Sequence, residues 1–356
     1  MKLTTYFYGD SLMKERNHHQ FRNDYSSLAH PRILKALMRY SSKQIEPYGL
    51  DGHSLNAERL IDDVFGCPNG KVFFLAGGTQ TNMVFISSAL KNHEGVISTV
   101  SGHINVHETS AIEGGGNKVL TVNGKNGKIY PEDIDMVMAK HIDMHMTKPK
   151  MVYISNSTEI GTIYTKEELL ALRKKCDEHK LYLYMDGARL GAAITSKEND
   201  VLPCLIGQVC DAFYVGGTKN GLLLGEALVI NNKALARDFR YVIKNKGAML
   251  AKDYLLGIEF EEAFKDGLYF EIAKKTNDMA QYLKEGMRAL KIDVEDSPTN
   301  QLFVALEKEL ALRIVKEFQT EIWEDKGDKL VIRFVTSFLT EKEDVDDLLA
   351  FLKKAQ

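Results

Sequence analysis

Between about residues 27 and 230, short apolar runs alternate with stretches of helical period, and many of the runs lack any polar alternation. KVFFLAGG, GVISTV, KMVYIS, LYLYMD, AFYVGG and EALVI are apolar for most of their length. A strand that is apolar on both faces is buried on both faces, the situation of a mostly parallel sheet covered by helices. The segments between the runs supply those helices. NAERLIDDVFG aligns Leu60, Ile61, Val64 and Phe65 on one face. PEDIDMVMAKHID starts with a proline, which suits a first helical turn. TKEELLALRKKCDEHK opens with a capping box, Thr165 followed by Glu168. INVHETSAIEGGG reads as a further helix. Past about residue 250 the pattern changes. A long helix over GLYFEIAKKTNDMAQYLKEGMRAL leads to QLFVAL, a helix near 308–319, KLVIRFV and a final helix from about 341. The chain therefore reads as α/β, with a large domain on a mostly parallel central sheet and a smaller α+β C-terminal domain.

Composition narrows the partners. A net charge of −3 gives no electrostatic reason to bind nucleic acid or an anionic membrane. No apolar run approaches the roughly 20 residues of a membrane helix. The first residues, MKLTTYFYGDSLMKERNHHQ, have no apolar segment and read as neither signal peptide nor anchor, leaving an ordered arm or a frayed extension. The four cysteines, Cys67, Cys176, Cys204 and Cys210, form no C-x-x-C pair and suit the reduced thiols of a cytoplasmic protein. His103 and His107 in HINVH have a spacing that could chelate a metal on a helix. No nearby cysteine or third histidine completes the set, so no metal is expected.

Three places carry chemistry. In FFLAGGTQTN, a buried strand meets Gly77, Gly78 and Thr79 before a helix. Glycine permits close backbone approach and a helix N-terminus offers unpaired N–H groups, so the turn could cup a phosphate. It lacks the G-x-G-x-x-G and P-loop patterns. In LYLYMDGARLGAA, Asp186 ends an apolar strand, where α/β sheets present ligand-facing groups. A carboxylate there needs a partner, and Arg189 three residues on is one candidate. In DAFYVGGTKNGLLLGEALVI, Lys219 follows a strand and two glycines. A desolvated lysine loses its proton more readily and can form a Schiff base with an aldehyde. Together the three supply what pyridoxal phosphate requires: a phosphate cup, a carboxylate for the pyridine nitrogen and an amine for the aldehyde carbon.

GGTQTN, DGARL and GGTKNG, in this order, resemble the low-specificity L-threonine aldolase family. That family belongs to the β-eliminating lyase branch of fold type I pyridoxal-phosphate enzymes. The similarity runs from FRNDYS at 21–26 to IRFVTSF at 332–338. It implies a fold type I large domain over residues 46–250 and a small domain over 251–356, with residues 1–45 forming an N-terminal arm and helix associated with the latter. Carried over by position, Lys219 corresponds to the Schiff-base lysine, Asp186 to the pyridine-nitrogen partner, and Gly78 and Thr79 to the phosphate pair. His103 corresponds to the histidine that stacks on the cofactor and is a candidate base. Arg189 and Arg333 correspond to the arginines of the substrate carboxylate and its surroundings. Tyr48 corresponds to a tyrosine of an active-site loop.

Two positions depart from the family. RNDY places Asn23 where the family has a serine that contacts the carboxylate, and an amide can still donate a hydrogen bond. SNSTEIG places Glu159 nearest a histidine that handles the substrate hydroxyl. A glutamate could act as base there. The resemblance implies an aldehyde-lyase that cleaves a β-hydroxy-L-amino acid, of threonine, allo-threonine or phenylserine type, to glycine and an aldehyde. The alternative within the branch is β-elimination to a keto acid and ammonia. The resemblance also implies a homodimer or homotetramer, with the arm and the Tyr48 loop crossing between subunits.

Overall fold

A computed structural model describes residues 20–355 of the chain. Residues 1–19, part of the expected N-terminal arm and helix over 1–45, lie outside the described residues. Seven strands build the main sheet: β1 (Lys71–Leu75), β2 (Glu94–Thr99), β3 (Lys118–Val122), β4 (Lys148–Ser155), β5 (Tyr182–Asp186), β6 (Ala212–Gly216) and β7 (Glu226–Ile230). Their order is β1-β7-β6-β5-β4-β2-β3. Strands β3, β2, β4, β5 and β6 run parallel, while β7 is antiparallel to both β6 and β1.

The unbroken apolar runs are explained by two cores, one on each face of this sheet. Val152, Leu183, Met185, Phe213, Val215, Ala227 and Val229 face one core. Met151, Tyr153, Tyr184, Ala212, Tyr214, Leu228 and Ile230 face the other. Alternate residues of each strand thus enter different cores, so no solvent face exists to require polar alternation. The pairing Tyr153↔Tyr184 and Ser155↔Asp186 aligns β4 with β5. Gly216↔Glu226 and Leu75↔Glu226 align β6, β7 and β1. Ser155, Asp186, Gly216, Glu226 and Leu75 therefore share one edge, at the C-terminal ends of the parallel strands.

A second, antiparallel sheet joins β8 (Gln301–Glu307), β10 (Lys329–Val335) and β9 (Glu321–Asp325), in that order. The helices Leu268–Ala289, Lys308–Phe318 and Lys342–Ala355 contribute to its core. Phe21 joins this core, its backbone bonded to Phe318 and Val335 at 3.1 and 2.8 Å. The helix Pro31–Arg39 docks on the helix Tyr254–Lys265 through Arg32 and Glu262 at 3.1 Å.

The capping box at Thr165 and Glu168 forms as expected, with reciprocal bonds of 3.2 and 2.8 Å. INVHETSAIEGGG differs from its reading as one helix. It makes two short turns, His103–Val106 and Ala111–Gly114, separated by Thr109 and Ser110 in left-handed backbone at φ 47 and 58°. The apolar spacing is helical, but Glu108 turns inward to pair with His103 and the helix stops there. Strand β9, reading EIWED, was not marked by the apolar pattern because it is a largely exposed edge. Among the described residues, no helix is long and apolar enough to cross a membrane.

Candidate active site

The shared strand edge opens into a cavity of about 410 Å³ lined by Gly77, Gly78, Thr79, His103, Glu159, Asp186, Arg189, Lys219 and Glu226, among others. A second lobe of about 240 Å³ shares His103, Glu159, Arg189 and Lys219 and is bounded outward by His107, Trp323 and Arg333. Residues from both sheets thus meet at one opening.

Asp186 sits at the base, 4% exposed, and both oxygens of its carboxylate accept hydrogen bonds. Oδ2 accepts from the Tyr153 hydroxyl at 2.6 Å and the Asn82 amide at 3.0 Å. Oδ1 accepts from the Tyr214 hydroxyl at 2.5 Å and the Ala188 N–H at 3.0 Å. Burial alone would raise its pKa, but the nearby His103 and these donors outweigh it and hold the carboxyl below the usual aspartate range. Burial and the Asp186 charge push Tyr153 and Tyr214 well above the usual tyrosine range, so both remain donors.

Asn82, from the helix Gly78–Ala89, links this carboxylate to a second one. Its amide also donates to Glu108 Oε1 at 2.8 Å, and its oxygen accepts from Tyr184 at 2.9 Å. Glu108 Oε1 lies 2.8 Å from His103 Nδ1. A carboxylate there favours the proton on Nδ1, leaving Nε2 as the basic nitrogen. Glu159 Oε1 accepts from the Ser155 hydroxyl at 2.7 Å and the His103 N–H at 2.9 Å. Withdrawal from water raises the Glu159 carboxyl above its ordinary value despite those bonds.

The Lys219 ammonium lies 5.9 Å from the Tyr25 ring centroid. Withdrawal from water and the nearby Arg189 push it below the usual lysine range, against the pull of Asp24, Asp186 and Glu226. Arg189 does not pair with Asp186, as its position three residues on had suggested. Asp186 is already served by neutral donors, and Arg189 makes a two-pronged contact with Asp24, at 2.7 Å from Nε and 3.0 Å from Nη2. Arg333 pairs with Glu321 and lies over the Trp323 ring, 4.9 Å from its centroid.

The remaining expected residues are placed apart. Asn23 is buried, and its side-chain oxygen accepts from the Tyr25 N–H at 3.0 Å. Its neighbours Asp24 and Tyr25 are the ones that reach Arg189 and Lys219. Tyr48 lines a different cavity of about 390 Å³, beside Phe73, Arg240 and Asp253. The rings of His103 and His107 are 5.5 Å apart. Sequence reasoning did not single out Tyr153, Tyr214, Asn82, Glu108, Asp24 or Glu226. The available signal was that Tyr153, Tyr184 and Tyr214 lie on one face of the adjacent strands β4, β5 and β6, near Asp186 at the end of β5.

The residues fit pyridoxal phosphate. In the helix Gly78–Ala89 the first N–H with a partner four residues back is that of Thr81, bonded to Gly77 O at 3.0 Å. The preceding N–H groups and the helix dipole are available to a phosphate. A Cβ on Gly78 would stand 3.0 Å from the Tyr214 hydroxyl, a tight contact that would press on the donor of Asp186. Asp186 supplies a retained negative charge, and Lys219 an amine that loses its proton readily.

Comparison with known proteins agrees with this chemistry. A family model described as β-eliminating lyase matches residues 20–309. The chain is 30% identical over 348 residues to a low-specificity L-threonine aldolase of Pseudomonas sp., covering 94% of this chain and 97% of that one. It is 42% identical to a solved Leishmania major threonine aldolase, with a TM-score of 0.93 and coverage of 95% and 99%. A Sphingomonas wittichii serine palmitoyltransferase matches at 12% identity and a TM-score of 0.71, covering 95% and 86%, a likeness of fold alone. The architecture is that of the fold type I enzymes.

Tyr153→Phe should lower stability by about 1.5–3 kcal/mol at pH 7, the loss of a hydrogen bond to a charge. The depressed Asp186 value contributes stability above the unfolded value near ~3.9, lost as pH falls through the folded value. The gap between variant and wild type in urea unfolding should therefore narrow below about pH 4. A gap independent of pH would mean that Tyr153 does not serve the carboxylate.

Proposed function

The chain belongs to the β-eliminating lyase family, on its threonine aldolase side, and from that premise we propose that it cleaves β-hydroxy-L-amino acids to glycine and an aldehyde with pyridoxal phosphate as cofactor. The observation that carries this reading is the convergence of Lys219, Asp186 and the N-terminus of the helix Gly78–Ala89 on one cavity. Gly78 and Thr79 would hold the phosphate, Asp186 the ring nitrogen and Lys219 the aldehyde carbon. When bound, the cofactor supplies an aldehyde that captures an amine and a ring that takes up the electrons of the breaking Cα–Cβ bond.

The chain's own groups do the rest. Arg333 and Arg189 receive the substrate carboxylate. Each guanidinium is already turned toward the cavity by an acid, Glu321 or Asp24, which limits the reorganisation on binding. Arg189 commits Nε and Nη2 to Asp24, leaving Nη1 for the substrate. Glu159 takes the proton of the β-hydroxyl as the carbon–carbon bond breaks. Its raised value brings it nearer neutral pH, where a general base is most effective. His103, with Nδ1 against Glu108, would stack on the cofactor ring and is the second base candidate through Nε2.

The protein is read as a cytoplasmic homodimer or homotetramer. In that assembly Tyr48, remote from the Lys219 cavity of its own chain, would serve a neighbouring copy. The boundaries at residues 45 and 250 are kept as the proposed division between arm, cofactor-binding and small domains.

Incubation with L-threonine, L-allo-threonine and L-phenylserine should yield glycine and the matching aldehyde. Borohydride reduction should fix the cofactor on Lys219, and Lys219→Ala should neither trap it nor turn over. Keto acid and ammonia as the main products would instead establish β-elimination. Glu159→Gln should lower turnover by about 100-fold or more, the usual contribution of a general base. Because the carboxylate is the active form, wild-type turnover should fall as pH drops through the raised Glu159 value. That inflection should be missing in Glu159→Gln. A fully active Glu159→Gln enzyme would move the role to His103.

A further inference from the structure

Strand β9 is an edge strand of Glu321, Ile322, Trp323, Glu324 and Asp325, and its acids suit exposure. Ile322 packs into the core of the small sheet. Trp323 instead lines the outer lobe of the cavity. A β-bulge places it there. Val331 pairs with Glu324 and Ile332 with Ile322, so Trp323 is the extra residue of β9, without a pairing partner on β10. Bulges re-aim side chains and recur beside active sites. The indole ring meets Phe303, the residue opposite Arg333 on β8, edge to face at 5.3 Å. The Arg333 guanidinium lies 4.9 Å from its centroid. The His107 ring stands 6.1 Å away, inclined at 52°. Trp323 and His107 thus form two sides of an aromatic corner, in a lobe of about 240 Å³ that also holds Glu159, Arg189 and Lys219.

The proposed reaction uses every other wall of this lobe. Arg333 and Arg189 take the substrate carboxylate, Glu159 the hydroxyl, and the amine enters toward Lys219. The substituent on the β-carbon is the part of the substrate left without a partner, and the aromatic corner is the part of the wall left without a use. A methyl group touches little of such a corner, and unfilled space forfeits dispersion contacts. A flat ring can lie against both sides, at the 4.5–7 Å spacing that aromatic pairs favour.

We propose that Trp323, with His107, is the specificity-determining wall of the site and selects β-hydroxy amino acids that carry an aryl group on the β-carbon over those that carry a methyl group. This rests on the reading of the cavity as an amino-acid site. Trp323 also supports Arg333 through its cation–π contact. The two roles separate cleanly. A support for the guanidinium acts on every amino acid alike, because each brings the same carboxylate. A wall for the β-substituent acts on the aryl ones alone.

The test uses full-length protein loaded with pyridoxal phosphate and two amino acids that lack the β-hydroxyl and so are not cleaved, L-phenylalanine and L-2-aminobutyrate. Their dissociation constants are measured by calorimetry for wild type, Trp323→Phe and Trp323→Leu. Wild type should bind L-phenylalanine about 3–10-fold more tightly than L-2-aminobutyrate, the worth of an aromatic pair. Trp323→Phe should keep most of that preference and Trp323→Leu should lose it. Equal binding of the two in wild type, or an equal weakening of both in Trp323→Leu, would make Trp323 a support for Arg333 only and overturn the proposal. Trp323 is the single tryptophan of the chain, so its emission gives a second reading in wild type. Should Trp323→Leu fail to fold, emission that L-phenylalanine shifts and L-2-aminobutyrate does not supports the proposal, and emission unmoved by L-phenylalanine overturns it. Wild type that binds neither amino acid would remove the underlying reading of the cavity as well, a result distinct from binding without preference.

Discussion

The structure turns on keeping one carboxylate ionised inside a protein. Asp186 is nearly inaccessible, and an isolated charge there would neutralise itself by shifting its pKa upward. The nearby His103 and four donors prevent this, the donors coming from β4, β6, the helix Gly78–Ala89 and the turn after β5. Each comes from a different element, so the carboxylate also fixes how those elements meet. The strand register that places Ser155 opposite Asp186 brings Tyr153 alongside it. The same packing brings the Tyr214 hydroxyl against Gly78, where a phosphate would be held.

Charge is handled differently elsewhere in the cavity. Asp186 is held by neutral donors, whereas the arginines are neutralised by acids, Asp24 and Glu321. A neutral cage preserves a full negative charge for a positively charged ring nitrogen. An acid partner instead holds a guanidinium in place and leaves its remaining N–H groups for an incoming carboxylate. Asn82 connects the two regions by bridging Asp186 and Glu108, and Glu108 sets the proton on His103. Asn82 thus touches both the carboxylate offered to the ring nitrogen and the one that sets the histidine tautomer.

Much of this was legible in the sequence because the chemistry sits at punctuation. Gly78–Thr79, Asp186 and Lys219 each end an apolar strand, and strand ends are where α/β sheets present functional groups. The central sheet was legible for the same reason that its strands lack polar alternation. The supporting shell was not. Tyr153 and Tyr214 occupy strand interiors and read as core, since only their hydroxyls reach the carboxylate. Asp24 lies far from Arg189 in sequence, so adjacency pointed instead to Asp186. Glu108 sat within an apparently helical period that the structure breaks, and Glu226 looked like the first residue of an ordinary strand.

The most direct measurement of this account is the nitrogen-15 chemical shift of pyridoxal phosphate, labelled at its ring nitrogen and bound to the full-length protein. An ionised Asp186 predicts a protonated ring nitrogen across neutral pH, reverting to the unprotonated shift in Asp186→Asn. A wild-type signal at the unprotonated position, unchanged in Asp186→Asn, would contradict the claim that this buried carboxylate is held charged for the cofactor.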